Sequence, residues 1–336
     1  MSQSSSSLLN KIPFKDSIVF VTSMVVSALI AAQFIGLHAA IAWTSFSVLA
    51  TYALYNAKPD RSNLLYVALW IILIFSSSYI GQLFHLTWKF YLFLFIISYF
   101  YYYLFGRDPV FDRAIRFVII FATIGTALPI ADNQLAIGGA IGTLSALLIS
   151  HYLLRKEIDL EAFKQGIFTH ELFRLDTNLI PRAFIYSSGL FLSLIIPQML
   201  GIEKNYWATI TFLMVMPPKA MTVIHNTWLR FWGSVIAVIA LFILFQISLH
   251  IPINRLYIMV ALLFFFAFLL PICFKQSYLI VTLGVTCYSL VLVELGMYWD
   301  HPPKVELLID RIIETFIGGI IAIIISLILK VLREDS

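Results

Sequence analysis

The sequence predicts an all-α integral membrane protein of about twelve transmembrane helices, built as two parallel six-helix repeats with both termini cytoplasmic. Three observations lead there: a composition too apolar for water, a succession of spanning-length apolar runs, and a one-sided distribution of Lys and Arg. The chain is 61% apolar and only 12% charged, where a soluble domain carries about 45–50% and about 25%. A domain of this size still exposes a large surface, so the surplus has no interior to hide in. Lipid is the solvent that removes the problem. The net charge of +4 does not gather into a basic face and is no sign of nucleic acid.

A spanning helix needs about 20 mostly apolar residues. Runs of that kind are Ser17–Ile35, Ala39–Tyr55, Leu64–Phe84, Trp88–Phe105, Ala114–Ile130 and Leu135–Leu154. Six more are Arg182–Leu200, Tyr206–Met221, Trp228–Leu249, Leu256–Phe274, Tyr278–Met297 and Leu307–Leu332. The second and eighth are short, and Pro217-Pro218 closes the eighth. The Ser-rich start is followed by an apolar run with no cleavage site, which reads as a retained helix. With the N-terminus inside, seventeen of the 22 Lys and Arg fall in inner segments and five in outer ones. That is a positive-inside pattern with an even number of spans.

The two halves echo one another. Gln33-Phe34-Ile35-Gly36-Leu37 matches Gln198-Met199-Leu200-Gly201-Ile202, each followed by a Trp, Trp43 and Trp207. The run Ile141–Ser150 matches Ile317–Ser326, with Gly, Ala and Ser at four-residue spacing. Small residues so spaced let helices approach closely in lipid. The division is residues 1–154, a connector 155–181, and residues 182–336. Six helices per copy is an even number, so the copies enter from the same side. Parallel repeats relate by an axis along the membrane normal and tend to place substrate at their interface.

Ionisable residues within spans are the functional pointers, because a charge in lipid faces a cavity or a partner. The last span holds Asp310, Arg311 and Glu314, with Arg311 and Glu314 on one helix face. They form an internal pair, a cation held inward for an anion beside a proton-carrying Glu314, or an interfacial salt bridge. Lys219, His225 and Arg230 are a basic cluster, either a path for an anion or the positive-inside rule alone. Trp228 and Trp232 flank Arg230. Glu294, a lone carboxylate among Leu and Val, is a second proton-coupling candidate or an interfacial residue. Gln33 and Gln198 are amides for substrate or for helix–helix hydrogen bonding. Trp207 with Thr209 and Thr211, and Trp43 with Thr44, Ser45 and Ser47, offer stacking and hydroxyl groups suited to an aromatic acid, or interfacial anchoring. The Tyr99–Tyr103 run reads as an interfacial belt without chemistry.

No zinc spacing, phosphate loop or nucleophile elbow occurs, so no cofactor, metal or enzymatic activity is expected. Cys273 and Cys287, inside apolar runs, read as small core residues.

The segment Asn205–Pro217, followed by Arg230-Phe231-Trp232-Gly233-Ser234, resembles the fusaric acid resistance family, and Arg311–Gly318 resembles the start of its closing helix. That family includes aromatic acid exporters and is related to plant aluminium-activated malate transporters. The resemblance implies a bacterial inner-membrane exporter of aromatic or other weak organic acids. It also implies a periplasmic membrane-fusion adaptor as a possible partner, and possible assembly into homo-oligomers. The first half departs from the pattern: Tyr66–Ser76 has no Arg, and Leu135 stands where Arg311 would be mirrored. The alternative reading is an anion channel, or a non-transporting subunit of an envelope assembly.

Overall fold

Lipid supplies no hydrogen bonds, so a chain this apolar must satisfy its backbone within each segment. The computed structural model describes residues 14–57, 61–62, 64–127, 133–154, 157–158, 176–202, 206–218, 222–251, 254–297 and 305–334. Among these residues the chain forms twelve helices. They are α1 (Phe14–Ile35), α2 (Leu37–Tyr55), α3 (Leu64–Phe84), α4 (Trp88–Leu104), α5 (Pro109–Gly125), α6 (Asn133–Leu154), α7 (Leu179–Met199), α8 (Tyr206–Val215), α9 (Val223–His250), α10 (Arg255–Cys273), α11 (Tyr278–Met297) and α12 (Val305–Glu334). The remaining regular structure there is a two-residue parallel pairing, Arg61–Ser62 with Glu157–Ile158. Nine helices among the described residues are long and apolar enough to cross a membrane. The chain is a multi-pass membrane protein. Most of the connector lies outside the described residues.

Several helices start or stop away from the expected bounds, and for two of them the reason is identifiable. Helix α5 begins five residues before the predicted span. The Asp108 carboxylate accepts hydrogen bonds from the backbone N–H groups of Val110 and Phe111 at 2.8 and 3.0 Å, and Pro109 occupies the first turn. Both are helix-start signals. Asp112 and Arg113 therefore lie in the helix rather than ahead of it. Helix α8 stops at Val215, short of the expected Met221. Pro217 disfavours helical backbone at Met216, and the chain unwinds there.

The packing has the same plan in each half. Helices α1, α2 and α6 contact one another, α3 packs on α5, and α3 also reaches α6. In the second half α7, α8 and α12 contact one another, α9 packs on α11, and α9 reaches α12. Contacts between halves come in exchanged pairs. Helix α4 packs on α7 and α10 on α1; α5 packs on α8 and α11 on α2.

Local geometry follows the echoed motifs. Gly36 and Gly201 turn the chain with φ of 79° and 74°, a region glycine enters without steric cost. At the crossing of α6 on α2, a Cβ at Gly142 would lie 2.7 Å from Ser47 Cβ and 3.0 Å from Thr44 Cα. At the crossing of α12 on α8, a Cβ at Gly318 would lie 2.3 Å from the Ala208 carbonyl oxygen and 3.0 Å from Thr211 Cβ. The absent side chain is what lets the backbones touch.

Buried hydroxyls are met by the preceding turn, as in Ser23 to the Val19 carbonyl and Thr44 to the Ala40 carbonyl. Outward faces carry Phe34, Ile72, Leu144, Leu148, Phe184 and Ile239, all exposed. Water does not tolerate so much apolar surface, whereas lipid does. Cys287 is buried, Cys273 is partly so, and both are free thiols.

Gly318→Ala should force α12 away from α8 and lower stability by about 1–3 kcal/mol. Gly142→Ala should do the same at the other crossing. Thermal melting of the detergent-purified variants checks this; wild-type melting temperatures for both would contradict so close an approach.

Candidate functional site

Helix α8 is 10 residues long, and every residue but Met214 is buried. At its N-terminal end the Arg311 guanidinium, reaching from α12, lies over the Trp207 ring at 4.2 Å from its centroid. The Tyr206 ring sits beside Trp207 at 5.1 Å. A desolvated cation–π contact contributes about 2 kcal/mol or more. That does not offset the several kcal/mol of effective desolvation that burying an ion costs. Arg311 is 1% exposed, and its Nε and Nη1 find no hydrogen-bond acceptor among the described residues. Trp207 Nε1 likewise finds none there.

One turn along α8, Thr211 faces the Arg230 side chain from α9. Arg230 Nε reaches Thr211 Oγ1 at 3.5 Å, at the limit of a hydrogen bond, and Arg230 is 3% exposed. Arg311 feels the charge of both Arg230 and Glu314. Glu314 is fully buried one turn beyond Arg311 on α12. The Thr315 hydroxyl donates to the Arg311 carbonyl at 2.7 Å. The result is two guanidinium groups and one carboxylate in a water-poor place. The surplus of one positive charge suits a monovalent anion. Donors in fork geometry suit a carboxylate, and the buried Trp207 indole adds an N–H without a partner among the described residues.

At its other end α8 unwinds, and tyrosines meet the freed carbonyls. Tyr278 Oη donates to the Met214 carbonyl at 2.9 Å, and Tyr186 Oη to the Met216 carbonyl at 3.1 Å. Helices broken at membrane depth are where transporters place substrate sites.

Residues 192–325 match the family described as fusaric acid resistance protein-like. This stretch, less than half of the chain, is what is similar to that family. The matched stretch begins inside α7 and ends inside α12, so it holds Trp207, Thr211, Arg230, Arg311 and Glu314 together. Neither a curated protein nor a solved structure matches the chain significantly.

The structure brings five of the sequence-derived candidates together around α8 and places the others elsewhere. Gln198 is exposed and accepts a hydrogen bond from Tyr91, a tie between α7 and α4. Gln33 is exposed near the end of α1. Glu294 is 3% exposed on α11, near the point where Gly296 approaches Ala42 of α2. Lys219 lies outside the described residues, and His225 is exposed. Trp228 and Trp232, which flank Arg230 in sequence, stack on each other at 6.3 Å on the exposed face of α9, away from the buried guanidinium. In the first half, α6 sets Leu135 and Gly138 at the positions equivalent to Arg311 and Glu314. Gly138 packs against Trp43 there, within 2.7 Å of a would-be Cβ.

The Tyr99–Tyr103 run is not an interfacial belt. Tyr101 and Tyr102 are each 1% exposed and pack on Tyr186 at 6.1 and 5.1 Å between ring centroids. Tyr101 accepts a hydrogen bond from Arg116 Nε at 2.9 Å. Arg116 falls inside the span expected from Ala114, but nothing in the sequence pointed to its partner Tyr101 on α4.

Because Arg311 and Glu314 feel one another's charge, Arg311→Met should strip counter-charge from a buried carboxylate and lower the melting temperature. Removing one partner of a buried pair costs about 3–5 kcal/mol, whereas replacing both is often neutral or stabilising. The double variant Arg311→Met with Glu314→Gln should therefore recover most of the loss. A double variant less stable than the single one would show that the two residues are not coupled.

Proposed function

We propose that this protein is an efflux transporter for small organic anions, aromatic carboxylic acids foremost, in a bacterial inner membrane. The observation that carries the reading is the buried Arg311 guanidinium, stacked on Trp207 with N–H donors to spare and Arg230 one turn away. A protein that bears the cost of burying such a group without satisfying it is arranged for an anion that arrives. The substrate carboxylate would bridge Arg311 and Arg230, and its ring would lie against Trp207 and Thr211. Glu314, and Glu294 on α11, would carry protons that couple export to the proton gradient. The family match supports a transport-like role.

The exchanged contacts between halves and the paired glycine crossings support two parallel six-helix repeats around a vertical pseudo-twofold axis. On this plan both termini are cytoplasmic. Gln33 and Gln198 would then lie along the route to and from the central site. A periplasmic adaptor would extend export across the envelope.

Expression in a bacterial strain lacking weak-acid efflux pumps should raise resistance to fusaric acid and hydroxybenzoates. Arg311→Ala and Arg230→Ala should abolish that gain, since each loses a charge-assisted hydrogen bond of about 1.5–3 kcal/mol, roughly tenfold or more in affinity. Unchanged resistance with the wild-type protein present in the membrane would overturn the proposal. Currents carried by organic anions in planar bilayers and indifferent to a proton gradient would assign a channel instead. Reporter fusions at the two termini should both report the cytoplasmic side.

A further inference from the structure

The central site leaves unused a third cation, partly buried, on the opposite half of the molecule. Arg116 belongs to α5, and α5 packs on α8 across the boundary between halves. Its Nε donates to Tyr101 Oη at 2.9 Å, not to a carboxylate. Asp112, one turn earlier on the same face, directs its carboxylate to the Gly106 N–H at 3.0 and 3.1 Å. Arg116 lies within electrostatic reach of Tyr186 and Tyr278. Tyr278 is in turn within reach of Arg311.

These contacts set an order along one helix. Arg311 stands at Trp207, Arg230 at Thr211, and Arg116 beside the tyrosines that hold the Met214 and Met216 carbonyls. Tyr186 and Tyr278 already donate their hydroxyl protons to those carbonyls, so their rings act as walls. The groups with hydrogens to give are the Arg116 terminal nitrogens and the Tyr101 hydroxyl, which accepts from Arg116 and so has its own proton free to donate.

We propose that Arg116 and Tyr101 form a second anion-binding station, at the unwound end of α8, which hands the carboxylate of an organic acid to or from Arg230 and Arg311. This rests on the transport reading above and adds a residue pair from outside the segment that matches the family. Two stations separated along a path let an anion leave one before it is bound tightly by the next, the multi-site arrangement that permits flux. The aromatic walls Tyr186 and Tyr278 give the station a preference for ring-bearing acids over acetate-sized ones.

The test compares equilibrium binding with flux for Arg116→Gln, Tyr101→Phe and Arg116→Lys, using full-length protein and 4-hydroxybenzoate as probe. Calorimetry in detergent should find binding at the central site within about twofold of wild type in all three. Uptake into proteoliposomes should fall by about tenfold in Arg116→Gln, equivalent to about 1.4 kcal/mol in the barrier. Tyr101→Phe should show a smaller fall, and Arg116→Lys should recover part of the flux. Wild-type flux in Arg116→Gln would overturn the station. So would joint loss of binding, flux and melting temperature that Arg116→Lys does not rescue, because that pattern marks a packing role. Failure of the wild-type protein to bind or move any acid would instead bring down the transport reading, and the second station with it.

Discussion

The enclosure of α8 is the constraint on which the rest depends. Ten residues rise about 15 Å, roughly half of a hydrocarbon core. The chain then unwinds at Met216 with carbonyls that lipid cannot satisfy. Non-helical backbone at such depth is tolerated only inside protein. Hence α7, α9, α12 and α5 surround α8, Gly318 lets α12 touch it, and two phenols reach in for the Met214 and Met216 carbonyls. The same enclosure removes water from Arg311, Arg230 and Glu314, which is what makes their charges strong. Fold and site are thus one problem with one solution.

Much of the fold was readable because lipid imposes a simple rule on sequence. Helices α3 and α11 run over the residues expected from hydropathy, and all twelve expected segments have a helical counterpart among the described residues. What misled was charge near a helix start. Asp112 and Arg113 look like loop residues, yet both lie in α5 and Arg113 donates to the Ala53 carbonyl at 2.7 Å, so a neighbouring helix absorbs it. For the site, spacing alone placed Arg311 beside Glu314. It gave no sign that Trp207 lies beneath Arg311, because that contact joins residues about a hundred positions apart. Flanking aromatics misdirected attention at Arg230: Trp228 and Trp232 lie on the lipid-facing side of the same helix. The tyrosine run was invisible as a core feature because burial of an aromatic cluster and its placement at a membrane surface share one composition.

Two similar halves have unequal contents. Where α12 carries Arg311 and Glu314, α6 carries Leu135 and Gly138, and Trp43 closes the space against glycine instead of receiving a cation. The apolar version packs itself and needs no ligand to complete it. Conversely, the first half contributes Arg116 to the neighbourhood of α8, so the charged material from both halves converges on one short helix. Among the described residues, Arg230, Arg311, Glu314 and Arg116 thus gather around α8, which belongs to the second half.

The exchanged contacts between halves bear on how the chain is made. During synthesis α1 to α6 enter the membrane first, and the faces of α1 and α4 that will meet α10 and α7 have only lipid to lie against. Both faces are completed by helices that emerge later, so the first half waits in a partly assembled form. A ribosome paused in the connector, or a chain cut there, would leave four helices on each piece without their partners, α1, α2, α4 and α5 on one and α7, α8, α10 and α11 on the other. Each piece also carries the surface its missing partner would have covered, which makes self-association of fragments in the bilayer the characteristic misassembly of this architecture.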